Sequence, residues 1–307
     1  MPDYPIIDAH VHTFPRPEVG WQAQSGAGLS GHAGTVEELV PLMREGNISH
    51  AVMVNMTPVF EMKEAALNKQ PPDLPPHKLQ AVEAEIVREV LGRMQRRNAW
   101  TCAVARENPG LVAFISLDPS MGEEALAAEV EERAREGAKG IKLHPANQRF
   151  FPNDRRFWPA FAKTQELGLA IITHSGSMAL FPDPEHHDHP RNFVDVLREF
   201  PRINLVFAHM CRGFSDEVAE VMQAFPNAYL DTSAAISGIP NPFAISDEEA
   251  MAMIRRVGPD RVLFGSDWPW HHPIKDAARV DRLPLSTEEK RLIFCENAQR
   301  VLALKAQ

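Results

Sequence analysis

The first apolar run of the chain, IIDAHVHTF at 6–14, closes on two histidines two residues apart, directly after Asp8. Strand side chains alternate between faces, so His10 and His12 share one. Neutral imidazole nitrogen and carboxylate oxygen bind zinc at about 2.0–2.2 Å, and a catalytic site keeps one position for water or substrate. Later runs end on the same residue types: His174 in LAIITHS (169–175), His209 in NLVFAHM (204–210) and Asp267 in RVLFGSD (261–267). His10, His12, His174 and Asp267 would make one ligand set. Lys142 and His144, on one face of GIKLHP (140–145), offer with His209 a second metal position or a catalytic base. The donors suit one zinc ion, with a place for a second, and equally suit manganese or iron(II). Any one of the thirteen histidines is unexceptional alone; their placement at run ends is the signal.

Those residues need elements that bring them together. Eight short runs rich in Val, Ile, Leu, Phe and Ala recur along the chain, at 6–12, 49–55, 111–118, 140–145, 169–175, 204–210, 227–233 and 261–267. Near-continuous apolarity is the pattern of parallel strands covered on both faces. Helical stretches lie between them, such as 35–46, where Thr35 and Glu38 are spaced as a capping box, and 122–137. Strand and helix alternating eight times in a chain of 307 residues predict a single (β/α)8 barrel domain over 1–307. An open doubly wound sheet would carry a glycine-rich turn after an early strand, where this chain has HVHTFP. In a barrel, catalytic groups sit where strands end, and the Gly- and Pro-rich stretches 13–34 and 55–76 then become long loops over the site. With 176–192 they are the expected substrate-recognition segments.

A formal charge of -9 and the lack of a basic cluster argue against nucleic acid as a partner. Three scattered cysteines read as reduced thiols, and no run reaches the roughly 18 apolar residues a bilayer span needs. The opening MPDYPIIDAH has no basic stretch before a long apolar core, so a cytoplasmic location, a small-molecule substrate and room for self-association are expected. EHHDH (Glu185–His189) and the pair His271 and His272 fall in Pro-flanked segments and read as solvated loop. Arg16, Arg149 and Arg212 are candidate forks for a substrate carboxylate, and Trp21, Trp268 and Trp270 candidate platforms for a ring.

The ordered motifs DAHVH (8–12), GAKGIKLHP (137–145), THSG (173–176), FPRINLVFAHM (200–210), NAYLDTS (227–233), RVLFGSDWP (261–269) and ENAQRVLAL (296–304) resemble the amidohydrolase superfamily, in the branch that contains aminocarboxymuconate semialdehyde decarboxylase. The resemblance implies a distorted (β/α)8 barrel with a divalent metal, commonly zinc, at its C-terminal mouth. It places His10, His12, His174 and Asp267 as ligands and His209 as a catalytic or ligating histidine. MCRG follows the strand-six position where many relatives have a glycine pair, which puts Arg212 near the site. Lys142 would have to be carboxylated to bridge two ions. The leading expectation is hydrolysis of an amide, lactone or other ester, with Asp267 as the proton carrier for metal-activated water and His209 steadying an oxyanion or shuttling a proton. Non-oxidative decarboxylation of an aromatic or unsaturated acid uses the same groups. A metal-stabilised binding protein without turnover is the reading from another class.

Overall fold

The computed structural model describes residues 2–25, 28–176 and 183–304. All eight apolar runs are strands: β1 (Ile6–Val11), β2 (Ile48–Val54), β3 (Leu111–Ser116), β4 (Gly140–Leu143), β5 (Ala170–Thr173), β6 (Leu205–Phe207), β7 (Ala228–Asp231) and β8 (Val262–Leu263). Each pairs in parallel with its sequence neighbour, in the order β1 to β8. The ring is drawn together by main-chain bonds from Ala9 N to Phe264 O (2.9 Å) and from Asp267 N to His10 O (2.8 Å), and by a parallel bridge between Val11 and Trp268. This is the expected (β/α)8 barrel.

Alternation sorts the strand residues into two apolar layers. Ile6, Met53, Ile115, Ile141, Ile171, Leu205, Leu230 and Val262 pack outward with the helices in the larger cluster. Ile7, Ala9, Val54, Phe114, Ile172, Val206, Tyr229 and Leu263 form the interior, joined by Ala298, Val301 and Leu302 near the C-terminus. The interior pairs large with small residues. A Cβ at Gly140 would lie 2.2 Å from the Phe114 ring, so only glycine leaves room for that phenyl group. Emptying the position by Phe114→Ala would cost about 3–5 kcal/mol.

The helices start where the sequence signals them. Thr35 and Glu38 form the capping box of Val36–Glu45, and the 122–137 stretch folds as Glu123–Arg135. The two long segments depart from the expectation of plain loop: 13–34 contains the helix Pro17–Gln24, and 55–76 contains Val59–Leu67, ahead of the long helix Pro76–Glu107. Proline at the first helical turn initiates a helix there, and VFEMKEAAL is dominated by good helix formers, which outweigh the prolines flanking them. Residues 26 and 27, and 177–182 within the expected recognition segment 176–192, lie outside the described residues. Among the described residues no helix is long and apolar enough to cross a membrane. The three cysteines are free and buried.

Candidate metal centre and active site

Alternation along β4 and β5 carries the interior phase from Gly140 to Lys142, and from Ile172 to His174 just past the strand. Four other site residues need irregular backbone. The β1–β2 register shifts between Asp8 and Val11, which turns His10 and His12 inward, out of the phase set by Ile7 and Ala9. After β6, His209, Met210 and Cys211 run left-handed (φ 60°, 50° and 49°), swinging His209 inward where continued alternation from Val206 would face it out. Asp267 itself sits at φ 66°. Non-glycine residues hold such conformations only where their surroundings fix them, which is common at functional sites.

Two groups result. In the first, His10, His12 and Asp267 bring one ligand atom each to within 4.8 Å of one another. Asp267 Oδ1 lies 3.3 Å from His12 Nε2 and 3.6 Å from His10 Nε2. The other nitrogen of His10, Nδ1, is 2.8 Å from Asp231 Oδ2. Lys142 Nζ stands 3.3 Å from His10 Nε2. The edge of Trp270 meets the His12 ring at 5.1 Å. Gly265 permits the approach of β8, because a Cβ there would fall 2.9 Å from His10 Cβ. Asp8 accepts from His10 N (3.1 Å), Ser266 N (2.9 Å) and Ser266 Oγ (2.6 Å), tying the end of β1 to the segment that carries Asp267.

The second group contains only imidazoles. His174 Nδ1 and His209 Nε2 are 3.0 Å apart, and the His144 ring stacks on His174 at 3.8 Å and 7°. His209 Nδ1 faces the carbonyl oxygen of Ser233 at 3.1 Å. A carbonyl only accepts, so Nδ1 carries the proton and neutral His209 Nε2 is a lone pair that accepts from His174 Nδ1–H. In that state His209 is built as a proton acceptor or ligand, and it steadies an oxyanion only after gaining a second proton. His174 thus meets His209 and stays outside the His10, His12 and Asp267 group.

Burial sets the charge states. Desolvation lowers His10, His12 and His174 below the ordinary imidazole range, and His209 to about 4, so these rings are neutral at pH 7. Desolvation would raise Asp267, yet the hydrogen bond with His12 and the neighbouring histidines hold it well below the usual carboxylate range. Lys142, wholly enclosed, is pulled down to about 8 by burial, against the attraction of Asp231 and Asp267.

Other sequence candidates fare differently. Glu185 and His186 are exposed as expected, but His187 and Asp188 are buried, with Asp188 Oδ2 3.7 Å from His174 Nε2 and His187 Nδ1 bonded to Asp183 Oδ1 at 2.8 Å. The local fold turns the adjacent residues His187 and Asp188 inward, which composition does not show. His271 is buried too, its Nδ1 3.0 Å from Ser237 Oγ, whereas His272 is half-buried. Trp268 has no exposed surface and packs in the outer core, so it offers no ring platform; Trp270 has the better position and Trp21 faces solvent. Arg212 donates to Phe243 O and covers the Phe243 ring, Arg149 pairs with Asp183 at 3.1 Å, and Arg16 is exposed. A cation the sequence reading passed over is Arg97 of Pro76–Glu107, which donates to Thr13 O and lies over Phe14 and Trp100. Asp231 and Ser233 were also passed over, although Asp231 ends an apolar run as Asp267 does.

The first group fits a divalent ion: two imidazole nitrogens and an ionised carboxylate oxygen already converge, and small side-chain shifts, with loss of the proton His12 Nε2 gives to Asp267, would bring each to ligand distance. The sequence matches the amidohydrolase family model over residues 7–304. No curated protein matches the chain. Solved structures that share the fold include 2,6-dihydroxybenzoate decarboxylase from Rhizobium (15% identity, 98% of this chain and 99% of that one, TM-score 0.69). A second is 5-carboxyvanillate decarboxylase from Novosphingobium aromaticivorans, complexed with manganese and 4-hydroxy-3-methoxy-5-nitrobenzoic acid (15% identity, 98% and 97% covered, TM-score 0.68). A third is a TIM-barrel protein from Bordetella bronchiseptica (19% identity, 97% and 98% covered, TM-score 0.66).

Proposed function

The chain belongs to the amidohydrolase family, and on that premise we propose that it is a metal-dependent enzyme that removes a carboxyl group as carbon dioxide, without oxidation, from a small aromatic or unsaturated acid. The observation that carries the metal chemistry is the convergence of His10 Nε2, His12 Nε2 and Asp267 Oδ1 in a buried barrel mouth. His174, the fourth ligand expected from the motifs, stands beside this set, paired with His209. An ion held there, zinc or manganese, would supply a Lewis acid to orient and polarise an oxygen-rich substrate. At neutral pH Asp267 is ionised and His209 is neutral, so whichever of them acts first takes one proton, from the substrate or from water, and gives that proton to the carbon that loses carbon dioxide. Trp270, edge-on to His12, can wall a planar ring. What supports decarboxylation over the hydrolysis expected from the motifs is the company of the fold: two full-length structural matches are decarboxylases of hydroxylated aromatic acids.

Hydrolysis of an amide, lactone or other ester is the second reading, favoured by the ionised Asp267 beside the metal position, which suits a base for an activated water. The product decides between them. The metal-loaded protein is incubated with hydroxybenzoates, other carboxylated aromatics, lactones and amides, with elemental analysis per chain. Carbon dioxide release that a chelator abolishes and metal restores is the expected result; ring opening or amide cleavage with no carbon dioxide would replace it with the hydrolase.

A further inference from the structure

We infer that Asp231 fixes which nitrogen of His10 carries the proton, and so acts as the positioning residue that makes His10 able to bind metal. The metal half of this inference rests on the function proposed above; the proton half stands on hydrogen bonding alone.

Asp231 ends β7, wholly buried in the interior phase of Tyr229. Its two oxygens have separate duties. Oδ2 faces His10 Nδ1 at 2.8 Å. Oδ1 takes three donors: His209 N at 3.0 Å, Ser233 N at 3.0 Å and the Ser233 hydroxyl. Because the one hydroxyl proton of Ser233 goes to Asp231, Ser233 Oγ presents a lone pair to His10 Nδ1 at 3.1 Å and to His209 Nδ1 at 2.9 Å. Both atoms facing His10 Nδ1 are therefore acceptors. The proton must sit on Nδ1, and the lone pair on Nε2, the nitrogen turned toward Asp267 and Lys142. A metal-binding histidine is commonly fixed in this way by a carboxylate on its far nitrogen.

An isosteric change tests this directly. In Asp231→Asn the single amide oxygen is claimed by the three donors around Oδ1, so the NH2 group takes the place of Oδ2. Two donors cannot share that contact. His10 must then shift its proton to Nε2 and lose the lone pair a metal needs. Asp231→Ala removes the carboxylate and also frees the Ser233 hydroxyl proton to donate or accept, so neither tautomer of His10 is held. Asparagine, the closer mimic in shape, is thus expected to be the more damaging for metal binding.

The measurements use full-length protein. Nitrogen-15 NMR of labelled histidines in the metal-free chain, assigned with His10→Ala, should find the His10 proton on Nδ1 in the wild type, on Nε2 in Asp231→Asn, and divided between the two nitrogens in Asp231→Ala. Zinc titration should show about 10–100-fold weaker binding for Asp231→Asn, the usual range for losing such a support, and a smaller loss for Asp231→Ala. A wild-type His10 protonated on Nε2, or an Asn variant that keeps Nδ1–H, overturns the inference. Should the Asn variant fail to fold, Asp231→Ala decides it: a His10 proton still held only on Nδ1 in that variant overturns the inference. If the tautomer inverts while zinc affinity is unchanged, Asp231 keeps its part and the assignment of His10 as ligand falls instead.

Discussion

The two histidine groups at the barrel mouth touch but are built on opposite plans. His10 and His12 converge on a carboxylate, Asp267, and His10 is backed by a second one, Asp231. His174 and His209 face each other across 3.0 Å with His144 stacked alongside, and among the described residues the one carboxylate within 4.0 Å of their ring nitrogens is Asp188, 3.7 Å from His174. Negative charge surrounding imidazole suits a cation that stays, so the first group is the anchor. Imidazoles that accept from one another suit a proton or a ligand that comes and goes, so the second group is the working side. This division predicts different failures when each is cut.

The largest effect is expected at the residue both plans depend on. Asp267→Asn keeps shape but removes the ionised oxygen, and turnover should fall by about 10²–10⁴, the usual contribution of a positioned acid or base, or by more if metal is also lost. Initial rates and thermal unfolding check this together. A near-wild-type rate would remove Asp267 from the proton chemistry and leave the anchor as two histidines only.

Cutting one histidine from each group tests the division itself. His10→Ala should leave metal-free, inactive protein, while His174→Ala should retain a reduced metal content and lose rate more than content. Metal per chain by elemental analysis, measured beside kcat, separates the two. Equal loss of metal in both variants would merge the groups into one four-ligand shell, the arrangement expected from the sequence.

Access to the anchor can be narrowed without touching a ligand. Gly265→Ala places a methyl group 2.9 Å from His10 Cβ in the present backbone. Overpacking of this kind costs typically about 1–3 kcal/mol, and the strain falls on His10. Metal affinity should weaken with little change in helical content, as seen by titration and circular dichroism. Unchanged affinity would mean that β1 yields easily and that Asp231 and Asp8 hold His10 less firmly than their bonds indicate.

Most of the fold and part of the site could be read from the chain, for identifiable reasons. Strands buried on both faces leave long apolar runs, and each of the eight was visible, as was the Thr35–Glu38 cap. Lys142 and His174 follow simple alternation, so their inward facing was readable. His10 and His209 reach the interior through a register shift and a left-handed turn, which apolar patterning does not encode. Their residue types announced them; their geometry did not. Asp231 was legible in principle, since NAYLDTS ends on an acid at the interior phase, but a carboxylate that serves a histidine from behind leaves no spacing signature of its own. Asp188 and His271 were hidden by polar surroundings, because burial within a folded loop depends on contacts distant in sequence.

The smallest predicted effect concerns stability of the metal-free chain, where His209 and Asp231 should respond to acid at different pH. His209 is lowered to about 4 by burial, so the unfolded chain takes up its proton near pH 6.5 while the folded one does not. Its contribution to stability is complete above pH 6.5 and is lost as pH falls toward 4. Asp231 is lowered to about 2: burial would raise it, but His10 and the surrounding hydrogen bonds outweigh that. Its contribution is complete above pH 3.8 and is lost only as pH falls toward 2. Between pH 6.5 and 4 the contribution of His209 is therefore lost while that of Asp231 holds; His10 and His12, also lowered by burial, lose stability on the acid side of pH 6.5 as well. Urea unfolding of metal-free wild type and His209→Gln at pH 7 and pH 4.5 should show the variant losing less stability over that interval, by on the order of 2 kcal/mol. Parallel losses in the two proteins would place the acid-sensitive element elsewhere and deny the second group its separate character.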